Sequence, residues 1–302
     1  MRIGVSLPDP AGADAIARVR GELQRAADEG FASAWINNIF GLDALTTLAV
    51  AGSGVPGIEL GAAVVPSYPR HPAALAQQAL TVAAATGGRL TLGIGTSHRI
   101  VIEDMFGYRF DKPVQHTREY LSILRPLLHG QPASFQGEML SANVTLTTPA
   151  PLPVPVLLAA LGPRMLRLAA ELAEGTVLWM TGPVTVREHI VPTITAAARE
   201  AGRPSPRVVC ILPVCVTSDP DAARAAAAKV FAIYGQLPSY RAMLDREGAA
   251  GPADVALVGD ESAVAGQIAG LADAGVTDFV AGEFGRGDEA VRTRELLRSL
   301  QA

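Results

Sequence analysis

The sequence predicts an α/β fold, a (β/α)8 TIM barrel, and three observations carry that prediction. Eight short apolar runs recur along the 302 residues, nearly all of them followed by a segment of helical periodicity. Most of these runs are apolar throughout, as parallel strands covered on both faces must be. Eight such units also fit the length of one barrel. A doubly wound open sheet gives the same alternation and is the rival architecture.

Residues 2–7 read as the first strand, with a helix over 13–29 closed by Gly30. The second strand is 32–36, with a short helix over 42–51. The third is 58–65, followed by a helix over 72–85 that opens on Pro72, a tolerated first-turn proline. The fourth is 89–95, and its helix begins only near Pro113. Strands five to eight fall at 154–159, 176–180, 207–216 and 278–281. Helices fit at 163–173, 184–201, 220–234 and 289–300. Insertions lie after strand four (96–112), before strand five (130–148) and before strand eight (236–257), each too long for a plain connection. The second alternates around Gln136-Gly137, which predicts a small hairpin. No repeat or linker divides the chain, so residues 1–302 read as one domain.

Composition excludes several function classes. The chain is 49% hydrophobic and 18% charged, with a net charge of -4 and scattered basic residues, so it offers no footprint for nucleic acid. No run approaches a membrane span, and the N-terminus reads as a strand and turn rather than a signal peptide, so a cytoplasmic location is expected. Cys210 and Cys215 are five apart on one strand and point to opposite faces, which reads as two buried thiols. No spacing fits a zinc site, a nucleophile elbow or a phosphate loop, so no metal is expected.

Three strand ends carry the candidate chemistry. The fourth, "RLTLGIGTSHR", begins like a dinucleotide fingerprint, but His98 stands where the third glycine belongs and no helix follows at once. Gly93 and Gly95 are expected to leave that strand end bare for a flat ligand, or simply to relieve crowding. The third, "LGAAVVPSYPRHP", ends in small residues and prolines. The fifth, "LLAALGPRMLRLAAELAEG", opens a helix at Gly162-Pro163, an anion site to which Arg164 adds charge.

Together these segments resemble the luciferase-like flavin and deazaflavin oxidoreductases, (β/α)8 barrels that use FMN or coenzyme F420. The stretch "GTSHRIVIEDMFGYRFDKPVQHTREYLSILRPLL" looks like their F420-dependent actinobacterial branch. The resemblance runs from the first strand to the last helix and is strongest over 60–128 and 157–180. It implies F420 as cofactor, with FMN as the alternative. It implies a bulge at Ala62, Ala63 and Val64, with a non-prolyl cis bond between Ala63 and Val64, behind the middle ring. Gly95, Thr96, Ser97 and His98 would lie along the ring and ribityl chain. Leu161, Gly162, Pro163, Arg164 and Met165 would hold the phosphate. Asn37, Trp179 and Met180 would border the substrate cavity; Glu283, just past the eighth strand, stands at the same face by its position, as a cavity residue or as loop structure.

One departure matters. Relatives that oxidise alcohols or sugars carry an acid or histidine at the second strand end, where this chain has Asn37-Asn38. An amide abstracts no proton, so reduction of an activated C=C or C=N bond is the expected reaction, with His98 as its acid/base residue. The alternatives are a two-component FMN monooxygenase and a non-catalytic flavin-binding protein. Glu103 and Asp104 read as solvated or salt-bridged charges of the long fourth loop, with lid charges as the alternative. The expected partners are a small-molecule substrate and a second copy, docked through the alanine- and leucine-rich helices over 42–51 and 72–85.

Overall fold

The structure, a computed structural model, describes residues 1–8, 12–148 and 153–301. Its strands are β1 (Arg2–Ser6), β2 (Ser33–Ile36), β3 (Glu59–Pro66), β4 (Leu90–Gly95), β5 (Ala133–Gln136), β6 (Ser141–Val144), β7 (Val156–Leu158), β8 (Gly175–Trp179), β9 (Arg207–Val216), β10 (Leu257–Gly259) and β11 (Asp278–Glu283). Eight of them pair in parallel in the order β11-β1-β2-β3-β4-β7-β8-β9, and β9 pairs with β11 to close the ring. This is the (β/α)8 barrel; closure rules out the open sheet. β10 adds to the far half of β9.

The helices are α1 (Ala15–Asp28), α2 (Ala44–Gly52), α3 (Pro72–Ala85), α4 (Pro113–Leu128), α5 (Pro163–Leu172), α6 (Pro183–Thr185), α7 (Val191–Glu200), α8 (Pro220–Val230), α9 (Pro238–Glu247), α10 (Glu261–Asp273) and α11 (Asp288–Ser299). Sequence periodicity misses α9, α10 and β10. The first insertion carries a π-helical segment, Ile100–Met105. The second is the expected hairpin, β5 against β6. Cys210 and Cys215 are buried and unbonded, in separate parts of the core.

Strand alternation sorts the side chains into two cores. Leu60, Leu92, Leu158, Leu178 and Phe279 point outward, into the layer under the helices. The inward series is layered from bottom to top. At the bottom Arg207 donates to Glu59 at 3.0 Å and to Asp278 at 2.8 Å, and Arg2 pairs with the same two carboxylates. Above them the indole of Trp35 fills the barrel, its Nε1 donating to Ser33 Oγ at 2.9 Å. Gly61 makes room for that ring, since a Cβ there would collide with it. Leu157, Val177, Val209 and Val280 complete the layer and separate the charged base from the mouth.

Candidate active site

Inward side chains at the C-terminal ends of the strands form the floor of a cavity of about 890 Å³, within the ordinary size range of ligand sites. The floor depends on an irregularity in β3. Its register against β4 shifts between Ala62 and Val65, and the peptide bond between Ala63 and Val64 is cis, as the resemblance implies. The bulge brings two successive side chains, Ala63 and Val64, onto the inner core, while Ala62 packs outward.

The two glycines of β4 answer to that bulge. A Cβ on Gly93 would strike the carbonyl oxygen of Ala62, and one on Gly95 would meet Val64 Cγ2 at 2.9 Å and Ala159 Cβ at 3.2 Å. Gly93 therefore relieves crowding by the neighbouring strand and does not bare the backbone for a ligand. Gly95 both accommodates Val64 and borders the cavity. Past it, Ser97 takes a left-handed φ of 60°, which turns the chain out of the strand.

Thr96, Ser97 and His98 line the cavity beside Leu161, Gly162 and Met165. His98 is half-buried, and that burial holds its imidazole below the ordinary histidine range. Gly162 precedes α5, Pro163 opens it, and the free amides of its first turn follow. Pro163 and Arg164 stand outside the cavity, exposed at the helix start, and Arg164 makes no ion pair among the described residues. His189 approaches the Leu161 carbonyl at 2.8 Å and steadies the turn.

Four expected cavity residues divide. Trp179 faces in, edge-on to Tyr234, and its buried Nε1 makes no well-formed hydrogen bond among the described residues. Met180 is a correction: next in line after an inward residue, it turns outward into the main core. Glu283 is a second correction. Val280 faces in, so the odd positions of β11 face out, and Glu283 pairs with Arg294 at 2.9 Å beneath the helices. Burial raises its pKa, against the pull of Arg294. Asn37 follows the inward series of Ser33 and Trp35, yet it does not line this cavity.

Sequence reasoning missed the other walls. Val177 and Ile211 line the cavity, and the inward register of their strands would have identified them. Leu237 and Tyr240 arrive from the insertion before strand eight, where no periodicity signals them. In the other insertion Glu103 accepts from Arg99 at 2.6 Å and from the Phe110 amide at 3.1 Å. Among the described residues no cluster of His, Cys, Asp or Glu forms a metal site, and no helix is long and apolar enough to cross a membrane.

An orphaned indole N–H, a broad apolar floor over a strand bulge and a helix N-terminus at one side fit a flat ring carrying an anionic arm. These features define a barrel protein with an apolar cavity at its mouth. The chain belongs to the luciferase-like monooxygenase family, whose model matches residues 1–290. It is 29% identical over 237 residues to a 5,10-methylenetetrahydromethanopterin reductase of Methanolobus tindarius, covering 78% of this chain and 72% of that one. It is 35% identical over 167 residues to a putative coenzyme F420-dependent oxidoreductase of Mycobacterium tuberculosis, covering 50% of this chain and 47% of that one. The fold matches the coenzyme F420 dependent tetrahydromethanopterin reductase of Methanopyrus kandleri with a TM-score of 0.83 at 24% identity, over 98% and 97% of the two chains.

Proposed function

We propose that the protein is an oxidoreductase that uses coenzyme F420 to reduce an activated C=C or C=N bond in a small organic substrate. The observation that carries this reading is the pairing of F420 in the names of similar proteins with a cavity floor suited to a flat ring. When bound, the deazaflavin would supply the hydride, from its C5. The chain's own residues orient and protonate. Ala63 and Val64 would back the ring, and residues 95–98 would border it. The first-turn amides of α5 and the Arg164 guanidinium would hold the phosphate. His98 holds the proton. Because burial lowers its pKa, the imidazolium able to donate is populated only as the pH falls below the ordinary histidine range.

With no base at the end of β2, the site is poorly equipped to oxidise an alcohol. The same reading makes the chain one domain acting as a homodimer through α2 and α3, whose small side chains permit close approach. A monomer in sedimentation equilibrium would remove the dimer. The activity is tested by mixing reduced F420, protein and a simple cyclic enone without oxygen. Re-oxidation of the cofactor is expected. Oxygen uptake with reduced FMN instead would favour a two-component monooxygenase, and binding with no turnover a flavin carrier.

A further inference from the structure

The roof of the cavity has a chemistry different from its floor. It comes from residues 231–240, at the end of α8 and the start of the insertion before the eighth barrel strand, which touch Trp179 of β8 and His98 in the loop after β4. Trp179 lies edge-on to Phe231, with centroids 5.8 Å apart, and to Tyr234, at 5.5 Å. Tyr234 is edge-on to Tyr240 at 5.4 Å, and Tyr240 meets the His98 ring at the same distance. These contacts, edge-to-face among Phe231, Trp179, Tyr234 and Tyr240 and tilted between Tyr240 and His98, tie the rings into one continuous arc. The arc borders the cavity with Trp179 and Tyr240, and Leu237 lines the same cavity.

Charge is confined to one rim. The lining residues with full charges are Arg99, Glu103 and Asp104, all in the insertion after β4. Arg99 is engaged by Glu103, by the Phe110 carbonyl at 3.2 Å and by the face of the Phe110 ring. That rim is net negative and presents no unpaired cation. An anion entering beneath the arc would lose water and meet neutral donors but no unpaired cation at that rim, which leaves much of the cost of its desolvation uncompensated. Arg164, which makes no ion pair among the described residues, stands at the start of α5, where the anionic arm of the cofactor is placed above.

We infer that the substrate taken under this arc is an uncharged, flat, largely apolar molecule, and that the roof formed by Leu237 and Tyr240 selects it. The inference rests on the oxidoreductase reading for the site's chemistry. Neutral donors near the arc, Ser97 and Ser239 among them, suit a carbonyl or imine group on such a molecule.

The test compares two probes with the same bicyclic ring, methyl naphthyl ketone and naphthoate, by calorimetric titration into the full-length protein loaded with F420. The ketone is expected to bind about tenfold tighter or more, a difference of about 1.4 kcal/mol. Tyr240→Ala is expected to weaken the ketone, and Leu237→Arg to narrow or reverse the ratio; thermal melts verify that each variant is folded. Naphthoate binding as tightly as the ketone, no binding of the ketone, or ratios unmoved by both variants would each overturn the proposal. Cofactor binding is read separately, from the fluorescence of F420. Its failure counts against the cofactor reading alone, because the probe comparison is repeated on the cofactor-free protein.

Discussion

His98 concentrates the chemistry proposed for the mouth, and its environment sets the sign of its pH response. Burial disfavours the imidazolium, so the charged acid is populated only below the ordinary histidine range. If His98 donates the proton, kcat/KM for reduction rises as the pH falls through that lowered pKa. His98→Ala is expected to keep cofactor affinity, slow turnover and flatten this limb; an unchanged profile would remove the acid/base role. His98 was legible in sequence because it breaks a known motif. Gly93 was legible too, but its reason was not. Only the structure shows the Ala62 carbonyl occupying the space its side chain would need. Trp179, Met180 and Glu283 show how far parity reaches. Each lies at a strand end, yet one residue of register decides between cavity and core.

Among the elements, the barrel strands are simple and the insertions are elaborate. The hairpin of β5 and β6 is fastened by one carboxylate. Glu119 on α4 accepts from the amides of Glu138 at 3.0 Å and of Met139 and Leu140 at 2.8 Å, and from Gln115 at 2.7 Å. Burial alone would raise the pKa of Glu119, but these hydrogen bonds outweigh it and leave the pKa lowered. A depressed folded pKa gives stability that is present above the unfolded value and lost as the pH falls through the folded one. Glu119→Ala is therefore expected to cost about 1–3 kcal/mol near neutrality, with a smaller loss in acid, measured by denaturant melts at several pH values. An equal loss at every pH would contradict the linkage. The hairpin was readable from alternation around Gln136-Gly137. Helix α9 carried a signal as well, Pro238 in its first turn and Gly248 with a left-handed φ of 74° just past its end, but its weak periodicity hid it.

Over the whole molecule, the inward series runs from ions at the base, through an apolar middle, to the ligand mouth. The base bears on the closing seam, because Arg207 opens β9 and its guanidinium reaches Asp278 at the start of β11, the strand that β9 pairs with to close the ring. Asp278 is nearly inaccessible, so removing its cation leaves a buried charge. Arg207→Met is expected to cost about 3 kcal/mol, the lower end for such a break because Arg2 remains, with unfolding by urea as the measure. A neutral effect would mean that the ions do not hold the seam. Eight units and their order were legible because apolar strands covered on both sides leave a strong trace. Barrel closure is a long-range pairing with no local signature, and the aromatic roof comes from a segment without period. The most direct measurement of the central claim is a fluorescence titration of the purified protein with F420, FMN and FAD. The account predicts saturable binding of F420 in preference to both flavins; tight binding of FMN with none of F420 would contradict it.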